Sequence, residues 1–480
     1  MLPDATLVAT SPSGAVQGVK TLTGMGTQIV KFKGIPYAEA PVGELRLQDP
    51  VPVLPWGGVK EAAEEPPACP QLDENRTVIG SEDCLYLNVY TPDIKPKILK
   101  PVMIWIHGGS SHLHQVSFST GEASEASYNP ELFLDEDIVF VSVQYRIGLL
   151  GFLSMPGSTR INSNIGLLDQ REAMRWVKSN IAYYGGDPHR VTISGQSSGA
   201  VSVHNHVLTE DDEELFEAAV AQSGTVLTTF GHDVQTSSNA AVSALGCQGD
   251  AYSSDDVLRC LQSVSLQSLI EQHFEAWPVH VHARSSTTSP PPPHHHHLTY
   301  PFQLSTRLEG TKKNIPFLIG VNAEEAGSMD YANIQKAASP LLKFVYKDQP
   351  AQLATDALFV MPAYQALSQH GEHGPVYGYV LAELCSASGS AGTRVTHGED
   401  LACLFSRENR TGGQAVVRSW ANFAKYHQPS PAWDTVPGWH HGRLGQIAVF
   451  GDLETVGEGV EDMWQRIQLW EVLGKEDEEH

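Results

Sequence analysis

One serine, one histidine and one glutamate of the chain lie in sequence contexts that suit nucleophilic catalysis. Ser197 is the centre of a Gly-x-Ser-x-Gly sequence, between the β-branched run at 191–193 and a helix-compatible segment from Ala200. Between a strand and a helix, this pattern makes a turn so sharp that only glycine fits beside the serine, whose hydroxyl then stands clear of the sheet. Because the chain has 42 glycines, the pattern alone is weak, and its context must decide.

A serine hydroxyl is a weak nucleophile at neutral pH and needs a histidine base that a carboxylate orients. Glu325 follows an apolar run at 315–322, and His397 comes after a second apolar run at 376–384. Loop residues at the ends of parallel strands converge on one edge of a sheet. Taken alone, the pair Glu324–Glu325 is typical of a solvated loop, and one histidine among 21 is more often a surface or packing residue.

The elements that would position these residues are strands that alternate with helices. Apolar runs at 102–106, 138–143 and 315–322 predict buried strands, and the segment at 170–177 is helix-like. This alternation is typical of an α/β fold with a mostly parallel central sheet, covered by helices on both faces.

Composition limits the partners. The 480-residue chain has a formal net charge of −24, which argues against binding to nucleic acid and to anionic membranes. No continuous apolar run is long enough to span a membrane.

We expect residues 1–480 to form a single domain with a low-complexity insert at about 283–298, where Pro290–Pro293 precedes His294–His297. Metal capture by these four histidines is an alternative to an exposed loop, but we predict no metal and no cofactor.

Several longer motifs resemble the type-B carboxylesterase/cholinesterase family of α/β-hydrolases. The resemblance extends from about residue 15 to about residue 470 and is carried by Phe32–Tyr37, Ala40–Gly43, Ser81–Asn88, Asn164–Gln170, Tyr184–Pro188 and Gln222–Gly224, besides the Ser197 turn. It implies the α/β-hydrolase fold, in which the nucleophile, acid and histidine follow in that chain order. Ser197, Glu325 and His397 have this order.

The resemblance also assigns roles to individual residues. The family pattern Gly-x-Asn-x-x-Glu matches residues 320–325 and selects Glu325 over Glu324, and His-Gly-x-Asp-Leu frames His397. His107–Gly108–Gly109–Ser110 resembles the His-Gly-Gly-Gly loop that supplies oxyanion-hole donors, although Ser110 replaces the third glycine. The expected donors are the backbone N–H groups of Gly109, Ser110 and Ser198.

The resemblance implies disulfides between Cys69 and Cys84 and between Cys247 and Cys260, and leaves the redox state of Cys385 and Cys403 open. It also implies an ion pair between Arg46 and Glu82. The sequons at Asn75 and Asn409 favour glycosylation and the secretory route, hence a secreted protein or one of the endoplasmic reticulum lumen. No signal peptide is visible, so a cytoplasmic location is the alternative.

The predicted function is hydrolysis of a small-molecule carboxylic ester through an acyl-enzyme. The alternative is a weakly active or inactive adhesion or scaffold protein of the neuroligin and neurotactin kind, favoured by Ser110, by the insert and by a short segment between Glu325 and His397. A cholinesterase is disfavoured. The family's choline-binding tryptophan lies in the loop that corresponds to residues 70–83, and this loop contains no aromatic residue that could bind a quaternary ammonium group. A juvenile-hormone-esterase-like enzyme is a further alternative. Residues 195–197 resemble the nucleophile turn of that subgroup, whereas Leu47 stands where the subgroup has a phenylalanine.

Overall fold

The structure is a computed structural model of the chain. It describes residues 7–109, 118–155, 158, 160–209, 213–228, 234–248, 253–276, 313–328, 346–347, 349–382, 395–406, 412–430, 448–450 and 465–468. The insert predicted at 283–298 lies outside these residues, as do Ser110, Cys385 and Asn409.

The strands of the described residues form one large sheet and two small ones. They are β1 (Val8–Ser11), β2 (Gly14–Gln17), β3 (Val19–Leu22), β4 (Gln28–Pro36), β5 (Val59–Glu61), β6 (Gln71–Leu72), β7 (Val78–Ile79), β8 (Tyr86–Thr91), β9 (Lys100–Ile106), β10 (Val139–Val143), β11 (Gly186–Gln196), β12 (Ala218–Gln222), β13 (Phe317–Asn322), β14 (Val376–Leu381) and β15 (Ala448–Phe450). Ten of them form the large sheet, in the order β15-β14-β13-β12-β11-β9-β10-β8-β4-β3. The seven strands from β15 to β10 are parallel, whereas β8, β4 and β3 continue the sheet with antiparallel pairs. Two small sheets, β1-β2-β5 and β6-β7, lie outside it.

Helices connect the parallel strands. The α-helices are α1 (Glu131–Asp135), α2 (Gly148–Phe152), α3 (Ile165–Asn180), α4 (Ser198–Leu208), α5 (Val234–Ala244), α6 (Ser254–Ser263), α7 (Leu266–Ala276), α8 (Pro350–Thr355), α9 (Met361–Gly371), α10 (Asp400–Phe405) and α11 (Gly412–Tyr426). Shorter 3₁₀ turns cover Gly43–Leu45, Ile181–Tyr184 and Glu325–Ser328, and a π-helical turn covers Asp356–Val360.

The core lies on both faces of the sheet because side chains alternate along each strand. In β9, Val102, Ile104 and Ile106 enter one apolar cluster, which also contains side chains of α3, α4 and α9. Met103 and Trp105 enter a second cluster, formed with α1, α10 and α11. Helices therefore cover both faces, and the predicted α/β-hydrolase architecture with a mostly parallel sheet is confirmed.

A third apolar cluster lies beside the sheet and joins α2 to α5, α6 and α7. The Cys247–Cys260 disulfide ties the end of α5 to α6 and has a Cα–Cα distance of 5.5 Å. The Cys69–Cys84 disulfide closes the segment that contains β6 and β7, with a Cα–Cα distance of 5.1 Å. Both predicted disulfides are formed, and Cys403 is disulfide-bonded as well.

The Arg46–Glu82 ion pair is present and connects these regions. The Arg46 guanidinium donates two hydrogen bonds of 2.6 Å to the Glu82 carboxylate, and its third nitrogen reaches the carbonyl of Val264 at 2.6 Å. Among the described residues, no helix is both long and apolar enough to cross a membrane.

Candidate active site

Ser197 occupies the turn between β11 and α4. Its φ of 58° and ψ of −124° are strained for a residue with a side chain, and packing against the neighbouring strand holds the backbone there. A Cβ atom on Gly199 would overlap the carbonyl oxygen of Ile106 in β9. The flanking glycine is therefore required by the close approach of the turn to β9, as the sequence pattern predicted.

The loop after β9, His107–Gly109, packs directly on this turn. A Cβ on Gly108 would overlap the carbonyl oxygen of Gln196, so the loop and the turn are in backbone contact. His107 stacks on Tyr145, with ring centroids 4.3 Å apart, and the Tyr145 hydroxyl donates to the His107 carbonyl at 2.6 Å. Burial lowers the pKa of His107 to about 4, so its ring is neutral at pH 7.

Glu325 lies three residues beyond the end of β13, in the turn that follows the strand. Its side chain is fully buried, and Oε1 accepts a hydrogen bond of 2.7 Å from the backbone N–H of Asn322. A buried carboxylate needs such partners, because desolvation without a hydrogen bond is expensive. The other oxygen, Oε2, is left for His397.

His397 bridges the other two residues. Its Nδ1 lies 2.7 Å from Oε2 of Glu325, and its Nε2 lies 2.8 Å from Oγ of Ser197. The His397 backbone N–H donates to the Glu325 carbonyl at 3.2 Å, and the ring of Phe359 packs with its centroid 4.9 Å away. A serine, an imidazole and a buried carboxylate thus form one continuous hydrogen-bonded chain, an arrangement that can activate a hydroxyl.

Asp400 is a second buried carboxylate behind this chain, and the sequence interpretation did not single it out. It accepts hydrogen bonds from Nε2 of Gln222 at 2.7 Å and from Nδ2 of Asn322 at 3.4 Å. Burial and then the nearby charge of Glu325 raise the pKa of Asp400 to about 6. Its position in the His-Gly-x-Asp-Leu motif was the available signal, but the motif was used only to frame His397.

The structure places the remaining predicted residues as follows. Gly109 and Ser198 lie on the two backbone segments that meet beside Ser197, where the Ser198 hydroxyl donates to the Gly109 carbonyl at 3.4 Å. Asn75 is exposed in the turn between β6 and β7, within the segment closed by the Cys69–Cys84 disulfide.

Comparison with known proteins identifies the family. A model described as "Carboxylesterase family" matches residues 4–344. The chain belongs to the carboxylesterase family. Family membership supports ester hydrolysis as its general activity, and the chain is accordingly a carboxylic ester hydrolase that acts on small-molecule esters.

Individual relatives of this esterase span most of its length. It is 30% identical to an acylcarnitine hydrolase of Rattus norvegicus over 511 residues, covering 91% of this chain and 86% of that protein. It is 31% identical to pyrethroid hydrolase Ces2a of Mus musculus over 477 residues, covering 85% and 81%. Neuroligin-2 of Mus musculus is 29% identical over 499 residues, covering 84% of this chain and 58% of that protein.

Proposed function

We propose that this carboxylesterase uses Ser197 as nucleophile, His397 as general base and Glu325 as the carboxylate that orients the histidine. The observation that carries the proposal is the pair of contacts made by the His397 ring, 2.7 Å to Glu325 and 2.8 Å to Ser197. The contact with Ser197 falls in the range needed for proton transfer from a nucleophile to its base, and the contact with Glu325 is a hydrogen bond that can orient the base.

The reaction that follows from these contacts is a two-step acyl transfer. His397 takes the proton of Ser197 while Oγ attacks the ester carbonyl, and the imidazolium is stabilised by Glu325. The tetrahedral intermediate collapses as the C–O bond to the alcohol breaks, and His397 gives its proton to the leaving oxygen. Water then attacks the acyl-enzyme with the same base, releasing the carboxylic acid and restoring the serine hydroxyl.

The negative oxygen of the intermediate needs backbone donors, and we propose the N–H groups of Gly109, Ser110 and Ser198. Ser198 begins α4, whose first N–H groups have no partner within the helix and lie at the positive end of its dipole. Gly109 belongs to the loop that packs on the Ser197 turn. Ser110 lies outside the described residues, and its part rests on the resemblance of residues 107–110 to the family's glycine loop.

The competing proposal is an inactive adhesion or scaffold protein. It is favoured by Ser110 and by the similarity to neuroligin-2, but it gives no reason for a fully buried Glu325 aimed at His397. The hydrogen-bonded chain leading to Ser197 would serve no purpose in such a protein, whereas an esterase requires it. We therefore prefer the esterase.

The test is hydrolysis of a short-chain nitrophenyl ester by Ser197→Ala, with Ser243→Ala, a change at an exposed serine of α5, as the control. We expect Ser197→Ala to lose at least about 10³-fold in turnover, because removal of the nucleophile leaves only binding and oxyanion stabilisation. Ser243→Ala should keep wild-type turnover. An organophosphate should label the wild-type protein once, on the Ser197 peptide, and unaltered turnover in Ser197→Ala would refute the assignment.

We also propose that the protein is secreted or enters the endoplasmic reticulum lumen, with a glycan on Asn75 and on Asn409. Support comes from the two disulfides and from the exposure of Asn75. Peptide mapping of protein recovered from the culture medium should find both disulfides and a glycosidase-sensitive Asn75 peptide. Free thiols at all four cysteines would contradict the location.

Finally, we propose that residues 1–480 form one domain. In support, the strands of the main sheet come from residues between 19 and 450, so one sheet draws on both halves of the chain. A single cooperative unfolding transition, seen alike by tryptophan fluorescence and by circular dichroism, is the expected result. Two separate transitions would contradict it.

A further inference from the structure

We propose that Gln71 is a positioning residue for the oxyanion loop, His107–Gly109, although it lies outside the hydrogen-bonded chain of Ser197. It acts through Gly121, which packs on the far side of that loop. This inference rests on the proposed function, since an oxyanion loop matters only if the reaction passes through an oxyanion.

The Gln71 side chain is paired with the backbone N–H and carbonyl of a single residue. Its Nε2 donates to the carbonyl of Gly121 at 2.9 Å, and its Oε1 accepts from the N–H of Gly121 at 2.9 Å. The Gln71 residue is only 6% exposed. A carboxamide that satisfies both the donor and the acceptor of the same residue fixes the position and the orientation of that backbone.

Gly121 in turn touches the oxyanion loop. A Cβ on Gly121 would overlap the carbonyl oxygen of Gly108, and a Cβ on Gly109 would overlap the carbonyl oxygen of Thr120. The loop is therefore held between two backbones, Thr120–Gly121 on one side and the Gln196–Ser197 turn on the other. The turn is fixed by β11 and α4, whereas Thr120–Gly121 belongs to no helix or strand.

The base from which Gln71 reaches Gly121 is rigid. Gln71 begins β6, two residues after Cys69, and the Cys69–Cys84 disulfide closes the segment. At the far end of the β6–β7 hairpin, the Asp73 carboxylate accepts hydrogen bonds from the N–H groups of Asn75 at 2.9 Å and Thr77 at 2.8 Å. Through its hydrogen bonds, Gln71 thus attaches the backbone beside the oxyanion loop to a cross-linked hairpin.

The expected consequence is specific to the transition state. Without the carboxamide, the N–H and carbonyl of Gly121 lose two buried partners, and Thr120–Gly121 is free to shift away from the loop. The N–H of Gly109 then points less well at the position where the negative oxygen forms, in acylation and in deacylation alike. The ground-state ester carries little charge on that oxygen, so its binding is nearly unaffected.

The test compares Gln71→Met, a side chain of similar length that makes neither hydrogen bond, with Glu74→Ala, a change at an exposed residue in the turn of the same hairpin. For Gln71→Met we expect kcat on a short-chain nitrophenyl ester to fall about tenfold at unchanged KM, less than the about 10²–10³-fold loss for a deleted donor. Binding of a trifluoromethyl ketone, whose serine adduct carries an oxyanion, should weaken by the same factor. Glu74→Ala should keep the wild-type kcat and inhibitor affinity.

Gln71→Glu gives a second variant should Gln71→Met fail to fold, because its carboxylate keeps the bond from the Gly121 N–H and loses the other. We expect its kcat to fall as well. The inference is overturned if a folded Gln71 variant has wild-type kcat and inhibitor affinity, or if only its KM rises, while Ser197→Ala is inactive. Activity retained by Ser197→Ala would instead overturn the proposed function.

Discussion

The two sides of the candidate active site are held together in different ways. On the nucleophile side, the Ser197 turn and the loop at 107–109 are fixed by backbone atoms in close contact, which only glycine permits at Gly108 and Gly199. On the histidine side, Glu325 and His397 are fixed by side-chain hydrogen bonds among buried polar groups.

Because of this difference, we expect the two sides to respond differently to substitutions. Added volume on the nucleophile side must displace backbone of β9 or β11, so a substitution there should damage the fold and the activity together. A change of charge on the histidine side replaces one polar group by another of the same shape. It should therefore damage activity while the fold survives.

Among the substitutions that compare the two sides, Glu325→Gln should have the largest effect on activity. The glutamine keeps an oxygen to accept from the Asn322 N–H, but its amide N–H₂ meets His397 Nδ1 and imposes the wrong tautomer. We expect turnover of a short-chain nitrophenyl ester to fall about 10³–10⁴-fold, with a melting temperature close to that of the wild type. The neighbouring Glu324→Gln is the control and should remain active. Equal losses in both variants would contradict the choice of Glu325.

Gly199→Ala should give a smaller but less selective effect. The added methyl overlaps the Ile106 carbonyl oxygen, so α4 and the turn must move away from β9. We expect a loss of about 3 kcal/mol in the free energy of unfolding, together with reduced turnover. Gly57→Ala, where the methyl would enter open space, is the control. Wild-type stability of Gly199→Ala would contradict the inference that close backbone contacts hold the nucleophile side together.

The smallest expected effect is a pH dependence of stability. It sharpens the comparison because α4, on the nucleophile side, buries a histidine. Burial lowers the pKa of His204 from 6.5 to about 3, and its Nδ1 accepts from the Val226 N–H at 3.2 Å. A depressed pKa means that its contribution to stability is present above pH 6.5 and is lost as the pH falls towards 3. At pH 5 the loss is about 2 kcal/mol.

His204→Asn tests this, since the asparagine Oδ1 can replace Nδ1 as acceptor without titrating. The variant should be less stable than the wild type at pH 7.5, because the smaller side chain leaves a cavity. Its further loss of stability between pH 7.5 and pH 5 should be about 2 kcal/mol smaller than that of the wild type. Denaturant unfolding at the two pH values measures both quantities, and identical losses would show that His204 does not titrate on unfolding.

The sequence predicted the fold and the positions of the strands well, because the family motifs and the apolar runs mark the buried elements directly. Element ends were less accurate. β11 begins at Gly186, not at the β-branched run from Val191, because Gly186 pairs with Lys100 before an irregularity in the register. Likewise α4 begins at Ser198, immediately after the strained serine.

Polar contacts that no family motif marks could not be predicted. Gln71 and Gly121 are 50 residues apart, and no local pattern marks either of them as a partner of the other. Asp400 and Gln222 are 178 residues apart, and they meet because the start of α10 packs at the ends of β12 and β13. Patterns of residue type specify which elements form, whereas such polar contacts depend on how the elements pack.

The strand order of the central sheet has a consequence for folding kinetics. β11, which leads into Ser197, pairs with β9 and β12, whereas Glu325 and His397 follow strands that are made much later. Parallel pairings over such separations require long loops to close first, so they form slowly. During synthesis, the sheet edge at β12 stays unpaired until β13 emerges from the ribosome. We therefore expect the chain to need protection from aggregation in this interval, and esterase activity to appear only after residue 397 has been added.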